Sequence, residues 1–158
     1  MYLETIPDDL PLFAGFFRGF LIAKNYSRNQ LNDLALLLKK EKTELSEIIF
    51  LNDADSANAP LFDSLKKKNV VVSTGKEKWI DNDGLILPQD KPVILIIDNF
   101  DKLAYSVQQQ YLNNICKKDK DDYYPKLYLH YDSVIILNVG TITDLPLISY
   151  KCGTIVLV

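Results

Sequence analysis

Five consecutive aliphatic residues, Val93 to Ile97, followed at once by Asp98 and Asn99, constrain this chain more than any other feature. A strand with one wet face alternates apolar and polar residues. This run does not alternate, and so predicts a strand buried on both faces of a parallel sheet. The residues that follow such a strand lie at the carboxyl edge of an open α/β sheet, where ligands usually bind. Asp98 is therefore the first candidate site residue, at a place suited to a metal or a phosphate, with Asn99 beside it.

The segments around this run supply the layers that such a strand requires. Ser27 stands three residues before Gln30, the spacing of a capping box, and Leu31, Leu34, Ala35 and Leu38 follow on one helical face, with Lys39, Lys40 and Lys42 at the negative end. Ile48 to Leu51 reads as a buried strand ending in Asn52, Asp53 and Asp55. Pro60 suits the first turn of a helix with Leu61, Phe62 and Leu65 as its apolar face, and Val70 to Val72 makes the next strand. Trp79-Ile80 and Leu85 to Leu87, around Asn82-Asp83-Gly84, read as a β-hairpin. A helix is expected from Ser106, with Gln109 at capping-box spacing and Val107, Tyr111 and Ile115 along one side. Lys117 to Asp122 reads as a solvated charge run and Tyr123 to Tyr131 as an excursion or hairpin arm. Val134 to Leu137 is a buried strand ended by Asn138, Leu145 to Ser149 a short helix or turn, and Thr154 to Val158 a last strand. Near the start, Pro7 to Leu12 is turn chemistry. Phe13 to Ala23 is either one buried helix or a helix followed by a strand, Gly19 to Ala23, which periodicity does not separate.

This alternation of strands and helices predicts a single α/β domain: three layers, an open and mainly parallel sheet, helices on both faces. Its 158 residues, 47% hydrophobic and 25% charged, suffice for one sizeable core. A net charge of -3 argues against a domain that coats nucleic acid, which needs a basic excess. Cys116 and Cys152 have no partner at metal-ligand spacing and His130 is the single histidine, so a zinc cage is not expected. The apolar block from Leu12 to Ala23 is interrupted by Arg18 and too short to span a bilayer, so it reads as core, with no membrane partner and a reducing cytoplasm as the default compartment.

From Lys91 to Val158 the order of motifs resembles the nucleotide-binding core of the AAA+ branch of P-loop NTPases. Val93 to Asn99 resembles a Walker B strand, in which an Asp helps to hold magnesium and a following Glu polarises the attacking water. Asp101-Lys102-Leu103, a helix with Val107-Gln108-Gln109, and Val134 to Asn138 follow in the family's order, and Asn138 stands at the polar sensor position that orients that water. Leu145 to Cys152 resembles the clamp-loader segment in which Ser-Arg-Cys carries an arginine finger. The tyrosine-rich stretch equally resembles the hairpin of the MoxR and helicase branches. The resemblance implies a P-loop NTPase-like fold and ATP with magnesium as the ligand to test.

The departures from that pattern define the functional expectation. Asn99 takes the place of the catalytic Glu, and an amide holds water but does not act as a carboxylate base. Lys151 takes the place of the arginine, a point charge without the planar fork. No Gly-x-x-x-x-Gly-Lys-Ser/Thr is present, and phosphates need those glycines so that backbone N–H groups can close around them. Two remnants are candidates: Lys24 to Ser27, with Lys24 and Ser27 as cofactor-binding residues, and Ser73-Thr74-Gly75-Lys76. The resemblance further implies that a chain ending at Val158 would lack the family's helical lid. The expectation is a catalytically degenerate AAA+-like domain, a protein-binding or assembly module whose partner is another AAA+ subunit or a second copy. The alternatives are an unconventional magnesium-dependent NTPase, using Asp98, Asn99, Asn138 and Lys151, or a clamp-loader-like subunit on nucleic acid. Asp53 and Asp55 are weighed as a carboxylate cluster with Asp98 against plain solvated loop acids. The tyrosines at 123, 124, 128 and 131 are weighed as a stacking surface against a hairpin packed on its own domain, and Lys66 to Lys68 as a phosphate contact against a helix end.

Overall fold

The computed structural model describes residues 2–13, 20–52, 62–74, 78–112, 116–119, 122–125, 130, 132–146 and 154–158. The Val93 to Ile97 run is a strand, β7, buried along its whole length. It lies between β10 (Val134–Val139) and β3 (Glu47–Leu51), and both pairings are parallel. Outside these come β2 (Leu21–Lys24) and β11 (Ile155–Leu157) beyond β10, β4 (Val71–Ser73) beyond β3, and β1 (Tyr2–Leu3) at the far edge. The sheet has seven strands in the order β1-β11-β2-β10-β7-β3-β4, with every pairing parallel.

Two cores on opposite faces explain why β7 shows no alternation. Ile94 and Ile96 join the cluster built on Leu31, Leu34, Ala35 and Leu38 of helix α2 (Arg28–Glu41), with Leu10 of α1 (Leu10–Phe13) and Leu65 of α3 (Asp63–Lys66). Val93, Leu95 and Ile97 join the other cluster, with Tyr111 and Leu112 of α4 (Tyr105–Leu112) and Trp79, Leu85 and Leu87 at the hairpin β5–β6 (Ile80–Asp81, Gly84–Leu85). Each fully buried aliphatic side chain contributes about 1.5–3 kcal/mol of transfer free energy, so every β7 residue stabilises one layer or the other. The α/β class and the mainly parallel sheet stand as expected.

Several boundaries differ from the sequence reading, each for a local reason. Of the block from Phe13 to Ala23, Phe13 belongs to α1 and Leu21 to Ala23 belong to β2, so the alternative with a strand holds at its end; 14–19 lie outside the described residues. Helix α1 already starts at Leu10, inside the stretch read as turn. Helix α3 starts only at Asp63, with Phe62 at φ 52, a left-handed conformation that ends the residue's helical role while its ring stays buried; Pro60 and Leu61 are outside the described residues. Helix α4 starts at Tyr105, so Ser106 is inside it, and the Ala104 carbonyl accepts the first bond from the Gln108 N–H. The described part of the charge run is strand. Cys116–Asp119 and Asp122–Pro125 pair as an antiparallel hairpin, β8–β9, which favours the hairpin-arm alternative for the first of the tyrosines; 126–129 and 131 are outside the described residues. The short N-terminal strand β1 carries no sequence signal and forms only because β11 offers it a parallel edge.

Candidate functional site

With all strands parallel, the carboxyl ends of β2, β10, β7 and β3 line one edge. The chain leaves β2 into α2 on one face, whereas after β10 it passes through Ile142 and Leu145, which pack on the opposite face. Adjacent strands whose connections leave to opposite faces define the crevice at which open α/β sheets place ligands. Asp98 stands there directly after β7, as the sequence predicts, and Asn138 inside β10, which runs on to Val139 instead of ending at Asn138.

Alternation puts the first polar residue of three neighbouring strands on the α2 face. Phe50, Ile96 and Ile136 all belong to that core, so Asn52, Asp98 and Asn138, each two residues on, continue the same face. They form a hydrogen-bonded row. Asn138 Nδ2 donates to Asp98 Oδ1 at 2.8 Å, and Asn52 Nδ2 donates to Asp98 Oδ2 at 3.4 Å. The Asn99 N–H adds a third donor to Oδ1 at 3.1 Å. At the other end of the row Asn138 reaches the β2–α2 turn: its Oδ1 accepts from the Tyr26 N–H and its Nδ2 donates to the Tyr26 carbonyl, both at 3.0 Å. Asn138 is only 6% exposed, so these bonds replace hydration that the amide has lost.

A second set of bonds ties the same edge together. The Asp101 carboxylate accepts from the N–H groups of Gly140 and Thr141, each at 3.1 Å, and so fixes the chain as it leaves β10. A side chain at position 140 would bring its Cβ to 3.3 Å from that carboxylate, which explains the glycine. Behind Asp101, buried Gln108 donates to the carbonyls of Asp101 and Leu103. The Asn25 N–H donates to the Val139 carbonyl at 2.8 Å, which draws the β2–α2 turn against β10.

The predicted phosphate segment is closed. Asn25, Tyr26 and Ser27 are all that separate β2 from α2, and none is glycine. Ser27 is committed to a capping box: its Oγ accepts from the Gln30 N–H, and its own N–H donates to Gln30 Oε1. Lys24 is exposed at the end of β2. Tyr26 packs against the α2 core, and its burial pushes the phenol above its ordinary value. A magnesium–triphosphate needs a ring of free N–H groups and a carboxylate with an open oxygen. Here the Tyr26 N–H is already taken by Asn138 and the Ser27 N–H by Gln30, so this turn does not offer the ring of free N–H groups that a triphosphate needs. Among the described residues no cluster of three or more His, Cys, Asp or Glu is placed to hold a metal ion.

Asn99 adopts φ 52, left-handed, immediately beyond Asp98. Asn tolerates that conformation better than Glu does, so the backbone at this position suits the residue that is there. Lys151, Cys152, Asp53, Asp55 and Gly75-Lys76 lie outside the described residues. His130 is remote from the site in role: its Nδ1 accepts from the Asp132 N–H in the turn before β10. Asn52, Tyr26 and Asp101 are site residues that the sequence reading did not assign. The parity argument for Asn52 was open to it, but nothing in the letters brings Asp101 to Gly140. Comparison with protein-family models, with curated proteins and with solved structures finds no match to this chain.

Proposed function

We propose that this chain is a catalytically degenerate AAA+-like domain that serves as a protein-binding or assembly module, with another AAA+ subunit or a second copy of itself as partner. The observation that carries the reading is the Asn138 amide. It engages both the N–H that precedes helix α2 and the carboxylate at the Walker B-like position, the two groups that a nucleotide and its magnesium would use. The convergence of the β2 turn, Asp98 and Asn138 on one edge supports descent of the scaffold from such a site. The three-residue turn and Asn99 support loss of its chemistry.

Nucleotide-dependent thermal stabilisation tests this directly. A ligand at a hundred times its Kd stabilises the native state by about 2.7 kcal/mol. Millimolar Mg-ATP, Mg-ADP or Mg-GTP is expected to leave the melting temperature of the purified protein unchanged and to be hydrolysed no faster than in buffer. Magnesium-dependent turnover abolished by Asp98→Ala would overturn the reading in favour of an unconventional NTPase. Light scattering behind gel filtration reports whether the chain associates with itself.

A further inference from the structure

We infer that Asn138 acts as an internal ligand, a latch that holds the β2–α2 turn and the β7 exit in one arrangement without any bound group. The inference rests on the reading that this edge holds no nucleotide, and it adds the device that keeps the vacated edge ordered. A carboxyl edge built to surround a ligand has a difficulty when the ligand is lost: N–H groups and a carboxylate are left facing one another across a crevice with nothing between them. Even half-buried polar groups cost stability when they have no partner. One primary amide answers both demands, since it carries an acceptor and two donors. Asn138 Oδ1 takes the Tyr26 N–H, while Nδ2 serves the Tyr26 carbonyl and Asp98 Oδ1.

The geometry is that of a strand partner. By accepting from the N–H and donating to the C=O of the same residue, the Asn138 side chain bonds Tyr26 as a neighbouring strand would, beyond the point where the β2–β10 ladder ends at Lys24 and Val139. The ladder is thereby extended by a side chain. Asp98, held at its other oxygen by Asn52, anchors the amide in the orientation this requires. The consequence for a binding module is a carboxyl edge with one conformation, presented to a partner whether or not nucleotide is in solution.

Native-state hydrogen exchange, read residue by residue on protein without nucleotide, tests the latch. In the wild type the Tyr26 N–H, though it lies in a three-residue turn, is expected to exchange as slowly as amides of the β2–β10 ladder. An unprotected Tyr26 in the wild type overturns the inference without any variant having to fold. In Asn138→Ala, the Tyr26 N–H is expected to exchange about ten- to hundredfold faster, beyond whatever change the Leu95 and Ile96 amides report for the whole domain, the range that corresponds to about 1.4–2.8 kcal/mol of lost local stability. Equal acceleration at Tyr26 and in β7 overturns the latch, since Asn138 would then contribute only to global stability. Stabilisation of the wild type by Mg-ATP is a separate failure, that of the nucleotide-free reading, and is measured on different samples.

Discussion

The two edges of the sheet are secured by different chemistry. At the carboxyl edge the donors are neutral: two side-chain amides and a backbone N–H for Asp98, and two backbone N–H groups for Asp101. At the amino edge the acids are paired with lysines. Glu47, buried at the start of β3, accepts from Lys91 Nζ at 3.0 Å and from the Ser73 hydroxyl at 2.8 Å. Asp132, before β10, pairs with Lys42 at 3.2 Å, beside an open cleft of about 380 Å³ between Pro11, Glu44 and Pro92. The contrast follows from placement. Lys42 reaches the amino edge at the C-terminus of α2, where cations are favoured, and Lys91 reaches it in the segment that leads into β7. The Asp98 bonds depend on the direction of neutral donors, whereas those of Glu47 and Asp132 include a cation.

One chemical change made at both edges breaks the comparison if it is wrong. Asp98→Asn removes the charge from three hydrogen bonds; its oxygen can keep the Asn138 and Asn99 donors, and its N–H₂ is met only if the Asn52 amide turns its oxygen toward it. Bonds to charged acceptors are the stronger kind. We expect a loss of about 2 kcal/mol in urea unfolding, with an unchanged m-value. A variant within about 0.5 kcal/mol of the wild type would show that the row is not directional.

The same acid-to-amide change at Glu47 is expected to do less. Glutamine keeps an oxygen for Lys91 and can donate to the Ser73 hydroxyl, which rotates to accept. Lys91 is 45% exposed, so its ammonium returns to water instead of being stranded. About 0.5–1 kcal/mol is expected for Glu47→Gln in the same assay. If it exceeds the loss from Asp98→Asn, the assignment of direction to one edge and charge to the other is reversed.

How far these edges can be read in the letters differs too. The buried strand, the capping box at Ser27 and the apolar face of α2 follow from runs and spacings within one segment, and Val93 to Ile97, Gln30 and Leu31 to Leu38 carry them without ambiguity. Asp98 and Asn138 were legible as strand-end residues on one edge. Their bond was not, because the register between β7 and β10 is set by packing across the sheet rather than by either segment alone. The turn at Tyr26 shows a further limit. Lys24 to Ser27 offers a lysine and a hydroxyl, the right chemistry for a phosphate, yet Ser27 is consumed by Gln30 and the Tyr26 N–H by a residue more than a hundred positions away. Alternative uses of Ser27 were visible in the capping-box spacing, whereas the use of Tyr26 needed the fold. Asn99 lies between these cases: its identity can be read in the letters, and only the backbone shows that its place is left-handed.

The smallest effect belongs to the pair beside the amino-edge cleft, and it sharpens what charge contributes there. Lys42 is 13% exposed at its side chain and Asp132 36%, so solvent reaches one partner and screens the attraction. Exposed pairs contribute about 0.2–1 kcal/mol. Lys42→Met keeps the aliphatic stem over the cleft while removing the ammonium, and is expected to cost at most about 0.5 kcal/mol at low ionic strength. Because the Debye length falls from about 10 Å at 0.1 M salt to about 3 Å at 1 M, that difference should shrink as salt is added. Asp98→Asn, whose effect lies in short neutral-donor bonds at a partly buried site, should keep its full loss across the same range. Loss of salt dependence at Lys42, or its appearance at Asp98, would mean that the two edges are held by the same kind of interaction after all.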